Sequence, residues 1–524
     1  MLSGRLADAR WGGAQRLPIR FNSYRLKMNA STQSGSSYTR NLRLLLIFLT
    51  LGLALAWGAY YVSNDFQRFG IWPVIAVLVL APIAGWVCVA GLREGRRRIL
   101  HLKAEWTWWH GLIFLLYIST LVFRVRDVGA ASSQPIDAWA LLRLGPEALV
   151  AGALAIRLIT RHTLWLDSMF RGLLGALAIY GLVCIVSSSW SVYASWTLYK
   201  SVEFLLDVAV LAAILATVES ALAMRSMLNW IWTLYAAELA WTWVGAAIWP
   251  AEAFDETFRL SGVWPMVASN SIGVSGAIIS IVALARLLSP TTKKSERGWY
   301  SVVFGFGFIS LVASQTRNAL AGFVFGAFLV LWYQRRAWVA VFTSALIIPL
   351  IFFTSLGPRI GDYLAREQTE SQIEGLSART IWWSYAWQQL MQHPLTGLGA
   401  YAAGKFAVLG HLGIGEASQM HSDWIEILAG TSFWGLIPFA VAVIGCWWIL
   451  GRTFWDRTLS PSERGVSCEA LGVLGVITLR SFFNVELMWH VPFLFLAVLG
   501  YAEFLRRQKK QQKMAWGTSR VSQP

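Results

Sequence analysis

Met420-His-Ser-Asp-Trp-Ile-Glu-Ile-Leu-Ala-Gly-Thr-Ser-Phe-Trp-Gly-Leu-Ile-Pro-Phe-Ala-Val-Ala-Val-Ile-Gly-Cys-Trp-Trp-Ile-Leu450 begins polar and turns almost wholly apolar from Trp424 onward. A bilayer core is about 30 Å thick, and a helix covers that in about 20 residues. Residues 424–450 therefore read as a membrane-spanning helix, and His421, Ser422 and Asp423 as its mouth at the water interface. Immediately upstream, residues 357–423 contain no apolar run long enough to cross a bilayer. A connection of that length is usually functional or disordered. Its Trp, Gly and Tyr content argues against disorder.

The same alternation runs along the chain. Apolar segments lie near 42–63, 71–92, 107–123, 138–159, 170–188, 202–218, 228–249, 267–288, 299–314, 318–334, 338–356, 424–450, 466–483 and 490–505. Short segments such as 299–314 and 318–334 leave a range of 12–14 spans. The chain is 56% hydrophobic and 14% charged, where soluble chains average about 25% charged. The expected fold is an all-α, polytopic transmembrane bundle with one long periplasmic loop carrying short amphipathic helices. Its parts are a basic cytoplasmic tail at 1–41, a bundle at 42–356, the loop at 357–423, further spans at 424–505 and a basic tail at 506–524. Residues 1–41 hold no apolar core of signal-peptide length, so cleavage is not expected.

A net charge of +16 would suggest nucleic acid in a soluble protein. Here the positive-inside rule explains it, and no nucleic-acid partner is expected. With the N-terminus in the cytoplasm, inside segments hold 32 Lys and Arg and outside segments 11. That orientation puts the 357–423 loop outside, together with Arg259 and Arg317. Basic residues are scarce on that side, and anion binding is the natural reason for those present. The outer leaflet offers lipid-linked phosphates.

From Thr380 to Gln392 the pattern suits an amphipathic helix with Trp383, Trp387, Leu390 and Met391 near one face. Ser377 is placed to cap its start, and Pro394, Gly397 and Gly399 to end it. Arg379 then lies at a helix N-terminus, where backbone N–H groups add to an anion site, and its guanidinium suits bidentate phosphate binding. An interfacial Arg reaching for lipid headgroups accounts equally well for Arg379 alone. His421 is suited to accept a proton from a sugar hydroxyl at neutral pH, with Asp423 and Glu426 near in sequence to orient it. There is no D-x-D, H-E-x-x-H or Cys/His cluster, so no metal is expected. Cys88, Cys184, Cys446 and Cys468 read as lone thiols packed in helices. The sequence also lacks a P-loop and a dinucleotide fingerprint, so no cofactor or nucleotide hydrolysis is expected, and a reaction here needs an already activated substrate.

These passages resemble the O-antigen ligase/polymerase family of bacterial envelope enzymes. The resemblance rests on Ser377-Ala-Arg379, His393-Pro-Leu-Thr-Gly397-Leu-Gly399, His421-Ser422 and Thr431-Ser-Phe-Trp-Gly435. Ser314-Gln-Thr-Arg317, and Arg259-Leu-Ser-Gly262 followed by Asn270, extend it. Ser422 stands where the family usually has Asn, and Trp434 stands in the Gly-rich turn. The resemblance implies a metal-independent glycosyltransferase in the bacterial inner membrane with its site facing the periplasm. Its donor would be an undecaprenyl-diphosphate-linked glycan, bound by Arg259, Arg317, Arg379 and Asn270. His421 would be the general base, with Asp423 orienting it. The acceptor would be a glycan or the lipid A core, in O-antigen or exopolysaccharide assembly, with membrane lipids and polysaccharide-assembly proteins as further partners.

The alternative is a transporter or flippase for lipid-linked saccharides. It would rely on the intramembrane charges Glu203, Asp207, Glu238 and Glu469.

Overall fold

The chain divides into two units, Met1–Trp86 and Val87–Pro524. The computed structural model describes residues 95–97, 106–122, 129, 138–161, 165–255, 259–339, 379–414, 419–488 and 493–521, all in the second unit. The expected spans 42–63, 71–92 and 338–356 lie outside the described residues, as do Ser377 and Cys88.

In chain order the longer helices are α1 (Trp108–Leu121), α2 (Ala138–Arg161), α3 (Gly172–Val186), α4 (Ala194–Thr217), α5 (Ala221–Ile248) and α6 (Ser269–Leu288). They continue with α7 (Lys294–Ala313), α8 (Arg317–Tyr333), α9 (Arg379–Gln392), α10 (Asp423–Arg452), α11 (Pro461–Ser481) and α12 (Phe493–Val521). Each apolar segment expected between 107 and 334 and between 424 and 505 overlaps one of these helices. Residues 138–160, 172–189, 269–288 and 423–452 are long and apolar enough to cross a membrane. The protein is all-α and polytopic.

Helix edges depart from the apolar segments where charges find partners. The 202–218 segment begins at Ala194 instead, because Lys200 pairs with Glu203 at 2.5 Å and Glu203 also pairs with Arg143 of α2. The segment expected to end at 505 runs on to Val521. Glu503 accepts from Arg506 and Arg507 on the same helix face, so the basic tail is largely a continuation of α12.

The bundle is drawn together by small residues. Helix α8 lies against α11 so closely that a Cβ on Gly326 would meet the Gly472 carbonyl oxygen at 2.7 Å. In lipid, where apolar burial drives little association, such close contact is what holds helices together. Arg286 of α6 forms a bidentate pair with Glu469 of α11, at 2.9 and 2.7 Å. Cys184, Cys446 and Cys468 are buried, unbridged thiols.

Candidate active site

Helix starts gather on one end of the bundle. Asn270 lies in the first turn of α6, Arg317 opens α8, Arg379 opens α9, and His421 immediately precedes α10. Thr316, just ahead of α8, donates its hydroxyl to the Ser269 carbonyl at the start of α6. Two of these N-termini, those of α8 and α9, carry arginines, and the helix ends add to their positive potential.

Arg259 is held by the loop it sits in. Its backbone N–H donates to Asp255 at 2.9 Å, and Leu260 N–H donates to the Ala313 carbonyl at the end of α7, also at 2.9 Å. The guanidinium donates from Nε to the Ser314 carbonyl at 3.3 Å and from Nη2 to Asn270 Oδ1 at 3.5 Å. The Asn270 carbonyl in turn accepts from Arg480 Nη1 at 3.3 Å. Asn270 therefore brackets two guanidiniums. Beyond Arg259 the loop borders an apolar cavity of about 460 Å³, lined by Tyr117, Trp241, Trp264, Pro265 and Val267 among others.

Arg379 donates from Nη1 to the Phe483 carbonyl at 2.7 Å. Its pKa lies below the usual arginine value, first through burial and then through the charges of Arg317 and Arg480. The group stays protonated all the same. Like charges held together are costly, and a bound anion would remove that cost. The three arginines singled out from sequence are thus brought into one electrostatic field, joined by a fourth, Arg480, whose side chain is fully buried and ion-paired to Glu486 at 2.5 Å.

His421 sits at the edge of this field. Its pKa is lowered to about 4, first by burial and then by the Arg379 charge, with a hydrogen bond to Asn484 opposing them. The imidazole is neutral at pH 7. Its ring stacks near Trp382 of α9 at 6.1 Å between centroids, and Trp383 Nε1 donates to the Met420 carbonyl at 2.9 Å. Its backbone is left-handed, with φ of 56°, a conformation that costs energy and tends to collect at functional sites.

Asp423 makes no hydrogen bond to His421 among the described residues. Its carboxylate accepts from the backbone N–H groups of Glu486, Leu487 and Met488 at 2.8, 3.0 and 3.3 Å. It ties the segment after α11 to the start of α10. The side chain on His421 Nδ1 is instead Asn484, through Oδ1 at 3.0 Å. Asn484 and Glu486 were not singled out from sequence. The only signal was two polar residues in the short connection between the last two apolar segments.

The departures at 422 and 434 have simple explanations. Ser422 is the N-cap residue of α10, a position that Ser and Asn favour about equally, though its side chain makes no capping bond here. Trp434 is exposed on the outside of α10.

The glycine-rich passage 393–400 supports the site from behind. Helix α10 kinks at Ser432, whose φ of 55° and ψ of −151° break the helical ladder. The carbonyls of Ala429 and Gly430 are taken up by the N–H groups of Leu398 and Gly399, each at 2.9 Å. This pairing needs φ of 67° at Gly397 and 98° at Gly399. A Cβ on Gly399 would also lie 2.0 Å from Ser191 Oγ. Gly399→Ala should therefore destabilise the protein by about 1–3 kcal/mol. Thermal unfolding of the purified variant in detergent measures this, and an unchanged midpoint would contradict the tight packing.

Helix α9 differs in detail from its expected face. Ala386 and Leu390 are buried, with Trp382, Trp383 and Tyr385 packed around them, while Trp387 and Met391 are exposed. Measured from Trp383 at 100° per residue, Ala386 and Leu390 fall on one side and Trp387 and Met391 on the other. The amphipathic reading found the helix but centred its face too far round.

The charges that a transporter would need are largely occupied. Glu203 is paired with Arg143 and Lys200, Glu238 accepts from the Tyr117 hydroxyl, and Glu469 is paired with Arg286. Asp207 is buried with no hydrogen-bond partner among the described residues.

Residues 302–440 match the family model described as O-antigen ligase. That span includes Arg317, Arg379 and His421, and it supports a membrane glycan-transfer function in polysaccharide assembly. No curated protein matches the chain.

Proposed function

We propose that the protein is a membrane glycosyltransferase. It moves a glycan from undecaprenyl diphosphate to an acceptor sugar hydroxyl at the periplasmic face, as a ligase or polymerase of surface polysaccharide. The observation that carries this reading is a neutral His421 placed within the field of Arg379, Arg317 and Arg480. An acid-base group and a cationic cradle side by side fit a transfer that consumes one proton acceptor and releases an anion.

In the reaction the acceptor oxygen forms a bond to the anomeric carbon of the donor glycan. The bond from that carbon to the diphosphate oxygen breaks, and its electron pair leaves with the lipid diphosphate. His421 Nε2 takes the proton of the acceptor hydroxyl. Arg259, Arg317 and Arg379 hold the diphosphate, whose charge grows in the transition state and is stabilised by guanidiniums already in place. The apolar cavity beside the Arg259 loop is suited to the first prenyl units of the donor. The donor is already activated, so neither metal nor nucleotide enters the scheme.

Purified protein in proteoliposomes, given a polyprenyl-diphosphate-linked glycan and a set of acceptors, tests the reading. A covalent glycan product is expected. Movement of donor between leaflets without any product would mean transport instead. Surface glycan from a deletion strain separates the two transfer outcomes: loss of all attached polymer marks a ligase, and a product stalled at one repeat marks a polymerase.

A further inference from the structure

We propose that Asn484 and Glu486 are positioning residues that hold His421 in the tautomer protonated on Nδ1, leaving the Nε2 lone pair as the base. This rests on the glycan-transfer reading and adds what selects the reactive nitrogen.

The argument is one of donors and acceptors. Glu486 is ion-paired to the buried Arg480 at 2.5 Å. Burial raises the Glu486 pKa, and Arg480 and then Asn484 oppose the rise. Glu486 Oε1 faces the Arg480 guanidinium, which can only donate, so Oε1 is an acceptor. Asn484 Nδ2 lies 2.8 Å from Glu486 Oε1 and must be the donor there. The opposite amide orientation would set two acceptor oxygens against each other. Asn484 Oδ1 is thereby fixed toward His421, 3.0 Å from Nδ1. An amide oxygen cannot donate, so Nδ1 carries the proton and Nε2 is the unprotonated nitrogen.

The placement is enforced from both sides. Asp423, at the head of α10, grips the backbone of residues 486–488 through three N–H groups. Arg480 is anchored by the Asn270 carbonyl at the start of α6. The charged groups facing His421 and this relay are Arg379 from α9, Arg480 and Glu486 from the end of α11 and beyond, and Asp423 from α10. Since Asn270 also meets Arg259, His421 and Arg259 are joined through one chain of hydrogen bonds and the Arg480–Glu486 ion pair.

A neutral amide on Nδ1 has a further consequence. It sets the tautomer without adding the negative charge that would raise the imidazole pKa. A carboxylate in the same place would set the same tautomer and also favour imidazolium. Asn484→Asp is therefore informative, because a merely structural residue would not move a titration.

The test uses the full chain in proteoliposomes with polyprenyl-diphosphate-linked glycan and an acceptor sugar. In Asn484→Asp the acid limb of the kcat/KM profile should move up by about 1–2 pH units. In Asn484→Leu kcat should fall at least about tenfold, with KM little changed, because the other tautomer becomes populated. Nitrogen-15 spectra of histidine-labelled protein at pH 7, with His421→Gln to assign the signal, should show Nδ1–H in the wild type. An unmoved profile in Asn484→Asp, or an Nε2–H signal in the wild type, overturns the inference while leaving the base assignment intact. Full activity of His421→Gln removes the base assignment itself, and the inference with it.

Discussion

His421→Ala should lower kcat by about 10²- to 10⁴-fold, the range that a positioned general base contributes. The expectation follows from position and charge state together. Burial and Arg379 hold the imidazole pKa near 4, so almost all of it is free base at pH 7. The sign of the pH dependence follows. An ordinary histidine would lose half of its base form near pH 6.5. Here kcat/KM should stay flat through that region on descending pH and fall only as it approaches 4. Binding of the proposed donor would alter the picture, because its diphosphate would neutralise the arginine charge that disfavours imidazolium. The acid limb of kcat should therefore lie at higher pH than that of kcat/KM, since the two report the complex and the free enzyme respectively. Rates for wild type and variant from pH 4 to 8, with membrane insertion checked by size-exclusion chromatography, decide this. A wild-type limb at 6.5 in kcat/KM would mean that His421 is not the titrating base.

The second large effect is Arg379→Ala, which should cost about 10²- to 10³-fold in kcat, as does removal of one fixed donor to a developing anion. Arg379→Lys should recover only part of this, because a point charge replaces a planar fork. Stability should change in the opposite sense. Arg379 is held against Arg317 and Arg480, and its loss relieves repulsion in the donor-free protein. The variant should melt at the same or a higher temperature than the wild type while losing activity. Such an exchange of stability for function is expected where a site gathers like charges for a ligand. A large drop in melting temperature would assign Arg379 a structural role instead.

Much of this site was legible in the sequence because its parts were out of place in their surroundings. A polar stretch among apolar spans stands out by length alone, and arginines on the side where basic residues are scarce stand out by count. Arg259, Arg317, Arg379 and His421 were found in this way, and the structure brings them together. Asp423 was placed beside His421 on sequence nearness. But α10 starts at Asp423, and its carboxylate is taken up by the 486–488 backbone. Nearness along the chain says little about direction where a helix begins.

The glycines at 397 and 399 illustrate a further limit. Their spacing was visible, and it read as a helix stop. Their contribution to the site depends on carbonyls released by a kink more than 30 residues later, at Ser432. No local pattern can supply the partner of a backbone group that its own helix has given up.

The sequence by itself determined the all-α membrane class, most helix positions and the identity of the charged groups. These follow from composition, periodicity and counting, which are properties of short windows. Only the tertiary structure decided which side chains meet His421, setting Asn484 Oδ1 on its Nδ1 and Glu486 on the Asn484 amide. Hydrogen-bond direction depends on three-dimensional neighbours, and those two neighbours lie 63 and 65 residues from His421 along the chain.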